Sequence, residues 1–292
     1  MNEPAPETVL VREVGPRDGF QSLAGVLPTA AKARAISCLA AAGCSHVQAA
    51  SFVHPEKVPQ MADAAELFAL LPKDSETVFS ALALNPHGME RAMASGVGLV
   101  EASVSASDAH GRKNAGMELS DALKSMKRMA ALAQKGGVVL WAGLQCAFGY
   151  QRAGDVSPAQ VGKIASTLLD AGAEVLVLAD TSGLGTPDAV EAVLETVCVS
   201  WPVDRLLLHL HDSRGQAMAN LDRGLALGIR RFDASLGGLG GCPFLPGAPG
   251  NLPTQAVVRA LGSRGIATGI DAEAVERCFE ELVPLLKKME TG

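Results

Sequence analysis

Aromatic residues, basic charge and long apolar runs are all scarce in this sequence, and each scarcity argues against a class of protein. One Tyr and two Trp occur among 292 residues, and 25 Lys and Arg against 31 Asp and Glu leave a net charge of −6. Such a chain does not suit nucleic acid, which needs stacking aromatics and basic side chains. No apolar run approaches the ~18–20 residues that span a bilayer, so we expect no membrane segment.

Paired cysteine motifs and targeting signals are also missing. The chain begins MNEPAPETVL, which is neither the basic-then-apolar pattern of a secretory signal nor an Arg-rich transit peptide. No two cysteines form a CxxC pair, which argues against a zinc knuckle or a thioredoxin-like motif. We expect reduced cysteines in a cytoplasmic protein, most of them small core residues. The six are Cys38, Cys44, Cys146, Cys198, Cys242 and Cys278.

Eight apolar, strand-like runs alternate with Ala- and Leu-rich helical stretches. The runs are Val9–Val14, His46–Phe52, Val78–Leu84, Leu99–Ser105, Val138–Ala147, Glu174–Asp180, Arg205–His211 and Arg231–Leu236. Helices are predicted at about 29–42, 59–71, 86–95, 119–135, 158–171, 187–199, 215–227, 253–264 and 271–289. Pro28–Thr29, Ser157–Pro158 and Thr186–Pro187 are expected to open helices, and Gly43, Gly96, Gly136, Gly172 and Gly228 to end them.

This alternation predicts parallel strands with crossover helices, and eight such units match an α/β (β/α)₈ TIM barrel. We predict a single catalytic domain over residues 1–292, with the barrel at about 8–265 and an extra C-terminal helix at about 271–289. The rival fold, an open doubly wound sheet, would need a Gly-rich phosphate loop after its first strand. The sequence has none there.

A TIM barrel carries its functional groups at the carboxyl ends of its strands, where His209 and His211 form the sharpest feature. Residues two apart on a strand point to the same face, so the two imidazoles can converge on one metal ion. Asp18 at another strand end and Asn251 after the last predicted strand offer oxygens. Such donors suit Mg²⁺ or Mn²⁺, whereas zinc would more often recruit a thiolate. Histidines satisfied within the core are the alternative.

Two further residues are candidates for catalysis. Arg17, beside Asp18, is either half of a surface ion pair or a guanidinium that faces a substrate oxygen and stabilises an enolate. Both side chains can enter the site only where the strand bends, as the glycines in GPRDG allow. Cys242 lies in the glycine-rich stretch 237–250, which we interpret as the last βα loop. It is either an acid or nucleophile on a mobile loop, or an inert exposed thiol.

Several separated motifs resemble those of the 3-hydroxy-3-methylglutaryl-CoA (HMG-CoA) lyase family, which belongs to the metal-dependent TIM-barrel lyases and Claisen synthases. They are VREVGPRDGFQ at 11–21, SFV at 51–53, VPQM at 58–61, ADT at 179–181, HLHD at 209–212, GLGGCPF at 238–244 and GNL at 250–252. The resemblance runs from about residue 8 to 265, in order, across every predicted barrel unit.

The resemblance implies cleavage of HMG-CoA, or of a related 3-hydroxy-3-alkylglutaryl-CoA, to acetyl-CoA and acetoacetate or the corresponding keto acid, as in leucine degradation. It implies a divalent metal, Mg²⁺ or Mn²⁺, and no partner beyond the acyl-CoA except a second copy in a homodimer. The metal ligands would be Asp18, His209, His211 and Asn251. The catalytic residues would be Arg17, Asp18, His209 and Cys242, and the substrate-binding residues Arg17, Gln21, Gln48, Ser51 and Asp180.

The chain departs from the family pattern near the expected site. Gln48 stands where the family usually has a glutamate, so it cannot form an ion pair with Arg17. After Gln21 the family often has Asn-Glu-Lys, with the lysine near CoA, and this chain has Ser-Leu-Ala. Tyr150 replaces a family cysteine. These changes bear on the acyl substrate more than on the metal or the reaction type.

The end of the fourth predicted strand carries an unusual histidine, His110. With Asp108, Arg112 and Lys113 it forms either a binding edge for CoA or another acyl tail, or a solvated loop. Two other functions also stay open. A Claisen synthase of the isopropylmalate or citramalate type would normally carry extra C-terminal sequence, so we expect the lyase instead. A metal-binding barrel without activity is the third possibility, because Gln48 is neutral.

Overall fold

Eight parallel strands close into a barrel in the computed structural model, which describes residues 7–240 and 250–290. They are β1 (Leu10–Glu13), β2 (His46–Ser51), β3 (Val78–Ala83), β4 (Leu99–Ser105), β5 (Val139–Gln145), β6 (Val175–Asp180), β7 (Leu206–Leu210) and β8 (Arg231–Ala234). Each strand pairs with the next one along the chain, and β8 pairs with β1. Every strand lies within its predicted run, and the predicted TIM barrel is confirmed.

Helices follow the strands. They are α1 (Thr29–Ala41), α2 (Ala64–Leu70), α3 (Pro86–Ala94), α4 (Asp108–Asn114), α5 (Leu119–Gly136), α6 (Pro158–Asp170), α7 (Pro187–Val197), α8 (Ala217–Ala226), α9 (Thr254–Gly262) and α10 (Ala272–Glu290). The predicted 59–71 helix is shorter than expected, because Pro59–Met61 forms a separate 3₁₀ turn before α2. Helix α4 lies where no helix was predicted. Among the described residues, no helix has the length and apolar character to cross a bilayer.

Side-chain caps fix where several helices begin. Ser157 and Thr186 each accept a hydrogen bond from the backbone N–H three residues on, with proline in the first turn, as predicted. Ser107 caps α4 in the same way, through the N–H of His110. The unpredicted helix therefore has an ordinary start signal, which its short length and charged sequence concealed.

The glycine that ends α5 is Gly137, and the prediction of Gly136 is wrong. Gly137 is left-handed, with φ of 65°, whereas Gly136 is still helical. A Cβ on Gly136 would lie 2.2 Å from Cε of Met93 on α3, so close packing of two helices explains this glycine. The other predicted ends have positive φ, at Gly43, Gly96, Gly172 and Gly228.

Two apolar layers flank the strands. The larger one packs the outward strand side chains, such as Val11 and Val47, against the helices. The smaller one fills the barrel interior near the beginnings of the strands, with Leu99, Trp141 and Leu207 among its members. Since strand side chains alternate, the inward residues nearer the carboxyl ends form the next interior layer. That layer is polar and includes Arg12, Gln48, Glu101, His209 and Asp233.

Cys38 on α1 and Cys278 on α10 form a disulfide across 240 residues of sequence. The expectation that all cysteines are reduced is therefore wrong for this pair, since the barrel packs its first long helix against its last. No sequence spacing reveals such a contact. Cys44 and Cys146 are buried thiols, as expected of core cysteines, and Cys198 is exposed. Cys242 lies outside the described residues.

Replacing Cys278 by serine (Cys278→Ser) is expected to lower the free energy of unfolding by about 2–4 kcal/mol, because the crosslink restricts the unfolded chain. Urea unfolding without reductant measures this. Cys198→Ser removes an exposed free thiol instead, and it should stay within about 0.5 kcal/mol of the parent. An unfolding midpoint of the parent that does not move when reductant is added would contradict a stabilising disulfide.

Candidate active site

The turn after β1 brings Arg17 and Asp18 into one cavity at the barrel mouth. Gly15–Gly19 forms a single wide helical turn of the π type. Two adjacent side chains can both face inward there, as they could not on a strand. Arg17 Nη1 lies 2.5 Å from Asp18 Oδ1, and the guanidinium is buried rather than on the surface. The bend expected at this point is present.

Glu13, which sequence reasoning did not single out, holds this turn in place. Its Oε1 accepts hydrogen bonds from the N–H groups of Gly15 (2.6 Å) and Leu236 (2.8 Å), and its Oε2 accepts one from the Thr254 hydroxyl (2.6 Å). A Cβ on Gly15 would lie 2.7 Å from Glu13 Oε1, so this position requires glycine. Burial raises the pKa of Glu13 to about 7 despite its three hydrogen bonds.

His209 and His211 both face the cavity, and the contacts of their Nδ1 atoms set their orientation. Nδ1 of His209 lies 2.9 Å from Asp233 Oδ2, and Nδ1 of His211 lies 3.1 Å from the carbonyl oxygen of Thr181. Both partners accept, so each Nδ1 donates and Nε2 is the ring atom left available to a metal. The two Nε2 atoms are 3.0 Å apart. Two ring nitrogens this close can converge on one cation.

Asn251 completes the donor set. Its Nδ2 donates to Asp18 Oδ2 (2.7 Å) and to the carbonyl oxygen of Leu239 (3.1 Å). Its Oδ1 is buried and has no hydrogen-bond partner among the described residues. A buried carbonyl oxygen left unpaired costs about 1–3 kcal/mol, which a metal ion would offset. The unpaired oxygen therefore fits a cation at this position.

Asp18, His209 and His211 form a group that could hold a metal ion, with ligand atoms within 4.8 Å of one another. Burial alone would raise the pKa of Asp18, but the charge of Arg17 and the histidines outweigh it and hold that pKa well below its usual range. The carboxyl group is therefore ionised, as a cation ligand must be. The structure thus brings together all four residues predicted as metal ligands.

A buried ionic network lies beneath this group. Arg12 on β1 holds Asp233 on β8 with two hydrogen bonds of 2.7 Å, and its Nη1 lies 2.7 Å from Glu101 Oε2 on β4. The register places Arg12 directly beside Asp233. Burial would raise the pKa of Asp233, but Arg12 keeps that pKa well below its usual range. Asp233 is therefore the ionised acceptor that orients His209.

Arg12, Glu101 and Asp233 were missed by sequence reasoning, although the sequence carries a signal for them. Each is a charged residue inside a short strand, next to apolar residues. Helices cover the outside of a parallel barrel, so such a residue must point inward and find a partner there. Strand alternation identifies these residues, but which of them pair with one another depends on the register between the strands.

Gln48 joins the network to Arg17. Its Oε1 accepts a hydrogen bond from Arg17 Nε at 2.5 Å, and its Nε2 donates to Glu101 Oε2 at 3.0 Å. It is fully buried and lies beside the cavity rather than among its lining residues. Gln48 thus contacts the guanidinium that faces the cavity, and its substrate-binding role stays a prediction.

The remaining predicted substrate-binding residues also lie outside the cavity lining. Ser51 donates to Gln21 Oε1 at 2.9 Å, so these two bond to each other. Asp180 is fully buried, and its oxygens accept the N–H groups of Leu184 (2.9 Å) and Gly185 (3.0 Å). Its side chain therefore fixes the loop after β6. The cavity, of about 70 Å³, is lined instead by residues that include Ser103, Gly143, Gln145 and Thr181.

The segment around His110 is helix α4, so the solvated-loop alternative is wrong. His110 is buried, its Nδ1 lies 3.1 Å from Ser105 Oγ, and its ring meets that of Tyr150 edge-on at 5.1 Å. Burial, with Lys113 nearby, lowers the pKa of His110 to about 4, so the ring is neutral. Arg112 pairs with Glu118 on the surface. The partners of His110 and Arg112 thus lie in the segments that surround α4.

Comparison with known proteins places residues 8–282 in the HMGL-like family. Hydroxymethylglutaryl-CoA lyase YngG of Bacillus subtilis is 37% identical over 92% of this chain and 90% of its own length. A 3-hydroxy-3-isohexenylglutaryl-CoA/hydroxymethylglutaryl-CoA lyase of Pseudomonas aeruginosa is 37% identical over 97% of this chain and 94% of its own length. The crystal structure of the HMG-CoA lyase from Brucella melitensis superposes with a TM-score of 0.92 at 34% identity, covering 96% and 99% of the two chains.

Asp233→Asn is expected to weaken binding of Mn²⁺ by about 10–100-fold, because the residue orients a ligating histidine without touching the metal itself. Isothermal titration calorimetry measures the affinity, and circular dichroism checks the fold, since the same change weakens the ion pair with Arg12. Asp121→Asn, at an exposed position of α5, is the matched control and should bind as the parent does. Equal affinities for the two variants would show that Asp233 does not orient His209.

Proposed function

The chain belongs to the HMGL-like family, and from this we propose that it is a divalent-metal-dependent carbon–carbon lyase. Its substrate is HMG-CoA or a related 3-hydroxy-3-alkylglutaryl-CoA, and its products are acetyl-CoA and acetoacetate or the corresponding keto acid. One observation carries the proposal. Oxygen and nitrogen donors from the beginning and the end of the chain meet beside a buried arginine at one mouth of the barrel.

Asp18, His209, His211 and Asn251 are the residues that would hold the metal. Two nitrogen and two oxygen donors leave open positions on a six-coordinate ion, which favours Mg²⁺ or Mn²⁺. When bound, such an ion lowers the pKa of a hydroxyl group and orients it. The unpaired Oδ1 of Asn251 and the facing Nε2 atoms support this assignment.

Arg17 is the residue that would stabilise the enolate of acetyl-CoA. Its two contacts among the described residues use Nη1, on Asp18, and Nε, on Gln48. These contacts fix the plane of the guanidinium. A preorganised cation next to a developing oxyanion acts without reorganising during the reaction. Arg17 thus meets the requirement of a retro-Claisen cleavage, in which the carbonyl oxygen of the departing acetyl group gains charge.

Two proton transfers accompany this cleavage. The 3-hydroxyl must lose its proton before the C–C bond breaks, and Asp18 or His209 accepts it. The enolate carbon must then gain a proton, from Cys242 or a histidine. His209 is supported in either role by Asp233, because a carboxylate at Nδ1 stabilises the protonated imidazole. Cys242 enters this scheme through its place in the sequence motif GGCPF at 240–244.

The acyl group and the setting of the enzyme are further parts of the proposal. The Pseudomonas aeruginosa relative is named for two acyl-CoA substrates, so a longer branch at C3 deserves testing beside methyl. We expect a cytoplasmic homodimer that takes part in leucine degradation and binds no nucleic acid or membrane.

The purified protein with Mg²⁺ or Mn²⁺ is expected to convert HMG-CoA to acetyl-CoA and acetoacetate, and to lose this activity in EDTA. Asp18→Ala and His209→Ala should lose bound metal, measured by elemental analysis, and at least about 10³-fold in kcat, since both would hold the ion. Asp121→Ala and His87→Ala, both exposed, are the matched controls.

The outcomes of this assay separate the candidate functions. Cleavage of a longer-tailed analogue but not of HMG-CoA would identify a different substrate of the same reaction. Metal binding without turnover of any hydroxyacyl-CoA would overturn the lyase and favour a barrel without activity. Condensation of an acyl-CoA with a keto acid, without cleavage, would favour a synthase.

Cys242→Ser is expected to keep the fold and the bound metal but to lower kcat by about 10²-fold, because a hydroxyl is a far weaker acid than a thiol. Steady-state kinetics with HMG-CoA measures the change. Cys198→Ser, which alters an exposed thiol elsewhere, should leave kcat as it is. An unchanged kcat in Cys242→Ser would remove this thiol from the proton transfers.

A further inference from the structure

Gln48 lies between two buried groups of opposite charge and bonds to both. Its Oε1 accepts from Arg17 Nε at 2.5 Å, and its Nε2 donates to Glu101 Oε2 at 3.0 Å. Guanidinium groups only donate and ionised carboxylates only accept. The two neighbours therefore determine which way the amide faces. The neutral amide of glutamine supplies an acceptor to one of these neighbours and a donor to the other.

Two further side chains fix Glu101. Its Oε2 lies 2.7 Å from Arg12 Nη1, and its Oε1 accepts a hydrogen bond from the Ser103 hydroxyl at 3.1 Å. Gly143 on the adjacent strand leaves the space for both side chains. A Cβ there would lie 2.6 Å from Glu101 Oε1 and 2.2 Å from Ser103 Oγ. The carboxylate can therefore hold the amide of Gln48 in one orientation.

The neighbours of position 48 explain why it carries a neutral side chain in this protein. The side chain of Arg17 bonds to the Asp18 carboxylate and to the Gln48 amide among the described residues. A carboxylate at position 48 would lie about 3 Å from that of Glu101, and the two cannot both ionise at that distance without a large cost.

We propose that Gln48 and Glu101 form a matched pair of positioning residues for Arg17. Glu101 supplies the fixed negative charge, and Gln48 bonds to Glu101 and to the guanidinium at once, so that Arg17 is held in one orientation. An Arg17 held in this way faces the substrate oxygen, and in this respect the inference rests on the proposed lyase function. The pair acts on the Arg17 side of the site, whereas Asp233 acts on the side of the histidines.

Three variants test the pair: Gln48→Glu, Glu101→Gln and the exchange of both. Each single change should lower kcat at least tenfold. Gln48→Glu places two carboxylates against each other, and Glu101→Gln removes the charge that holds the Gln48 amide. Both should bind Mn²⁺ within about twofold of the parent. The exchange restores one donor and one acceptor between the two positions, so it should recover kcat to within about threefold. Gln134→Glu, at an exposed site on α5, adds the same charge and should match the parent.

Several results would contradict the proposal that Gln48 and Glu101 together position Arg17. A doubly substituted protein whose loss equals the product of the single losses would show that the two residues act independently. Unchanged kcat in Gln48→Glu, or a loss of Mn²⁺ affinity equal to the loss of kcat, would also contradict it. If a single variant does not fold, Gln48→Met keeps the size and removes both hydrogen bonds, and it should lower kcat with Mn²⁺ affinity retained.

Failure of the pair can be told apart from failure of the lyase assignment. The unsubstituted protein is assayed first, and an absence of turnover on every hydroxyacyl-CoA refutes the lyase alone. The proposed pairing of Gln48 with Glu101 is then tested by thermal unfolding of the parent, the two single variants and the exchange, all without metal. Gln48→Glu should lower the unfolding midpoint, and the exchange should restore it. A midpoint that the exchange fails to raise would refute the pair.

Discussion

The guanidinium of Arg12 is the interaction on which the rest of the site depends. It is fully buried and pairs with both Asp233 and Glu101. A buried charge without partners would be strongly destabilising, so Arg12 and the carboxylates beside it depend on one another. One carboxylate leads to His209, and the other leads through Gln48 to Arg17. A single cation at the centre of the barrel thus orients groups on both sides of the cavity.

The donors of the candidate metal site come from parts of the chain that only closure of the barrel makes neighbours. Asp18 follows β1, His209 and His211 belong to the end of β7, and Asn251 precedes α9. In an open sheet with the same strand order, β1 and β8 would lie at opposite edges. The pairing of β8 with β1 brings the acidic and imidazole ligands within 4.8 Å of one another. The barrel is therefore a condition of the chemistry.

Much of this could be predicted from the sequence, and the limits have physical causes. Strands and most helices follow from local periodicity, and the two histidines from the rule that residues two apart share a strand face. The pairing of Arg12 with Asp233 and the disulfide both join elements more than 200 residues apart, and local pattern does not show which elements meet. Asp180 shows the same limit, because a strand-end carboxylate can face the cavity or its own loop. Local pattern does not decide between them.

The contacts of Glu13 also bear on the order in which the protein can take shape during its synthesis. This carboxylate, near the start of the chain, is buried against Leu236 and Thr254. While those residues are still inside the ribosome, β1 lacks its neighbour β8, and the Glu13 carboxyl group lacks these two hydrogen-bond donors. The pairing of β1 with β8, and the burial of Glu13 that goes with it, can therefore form only after nearly the whole polypeptide has emerged.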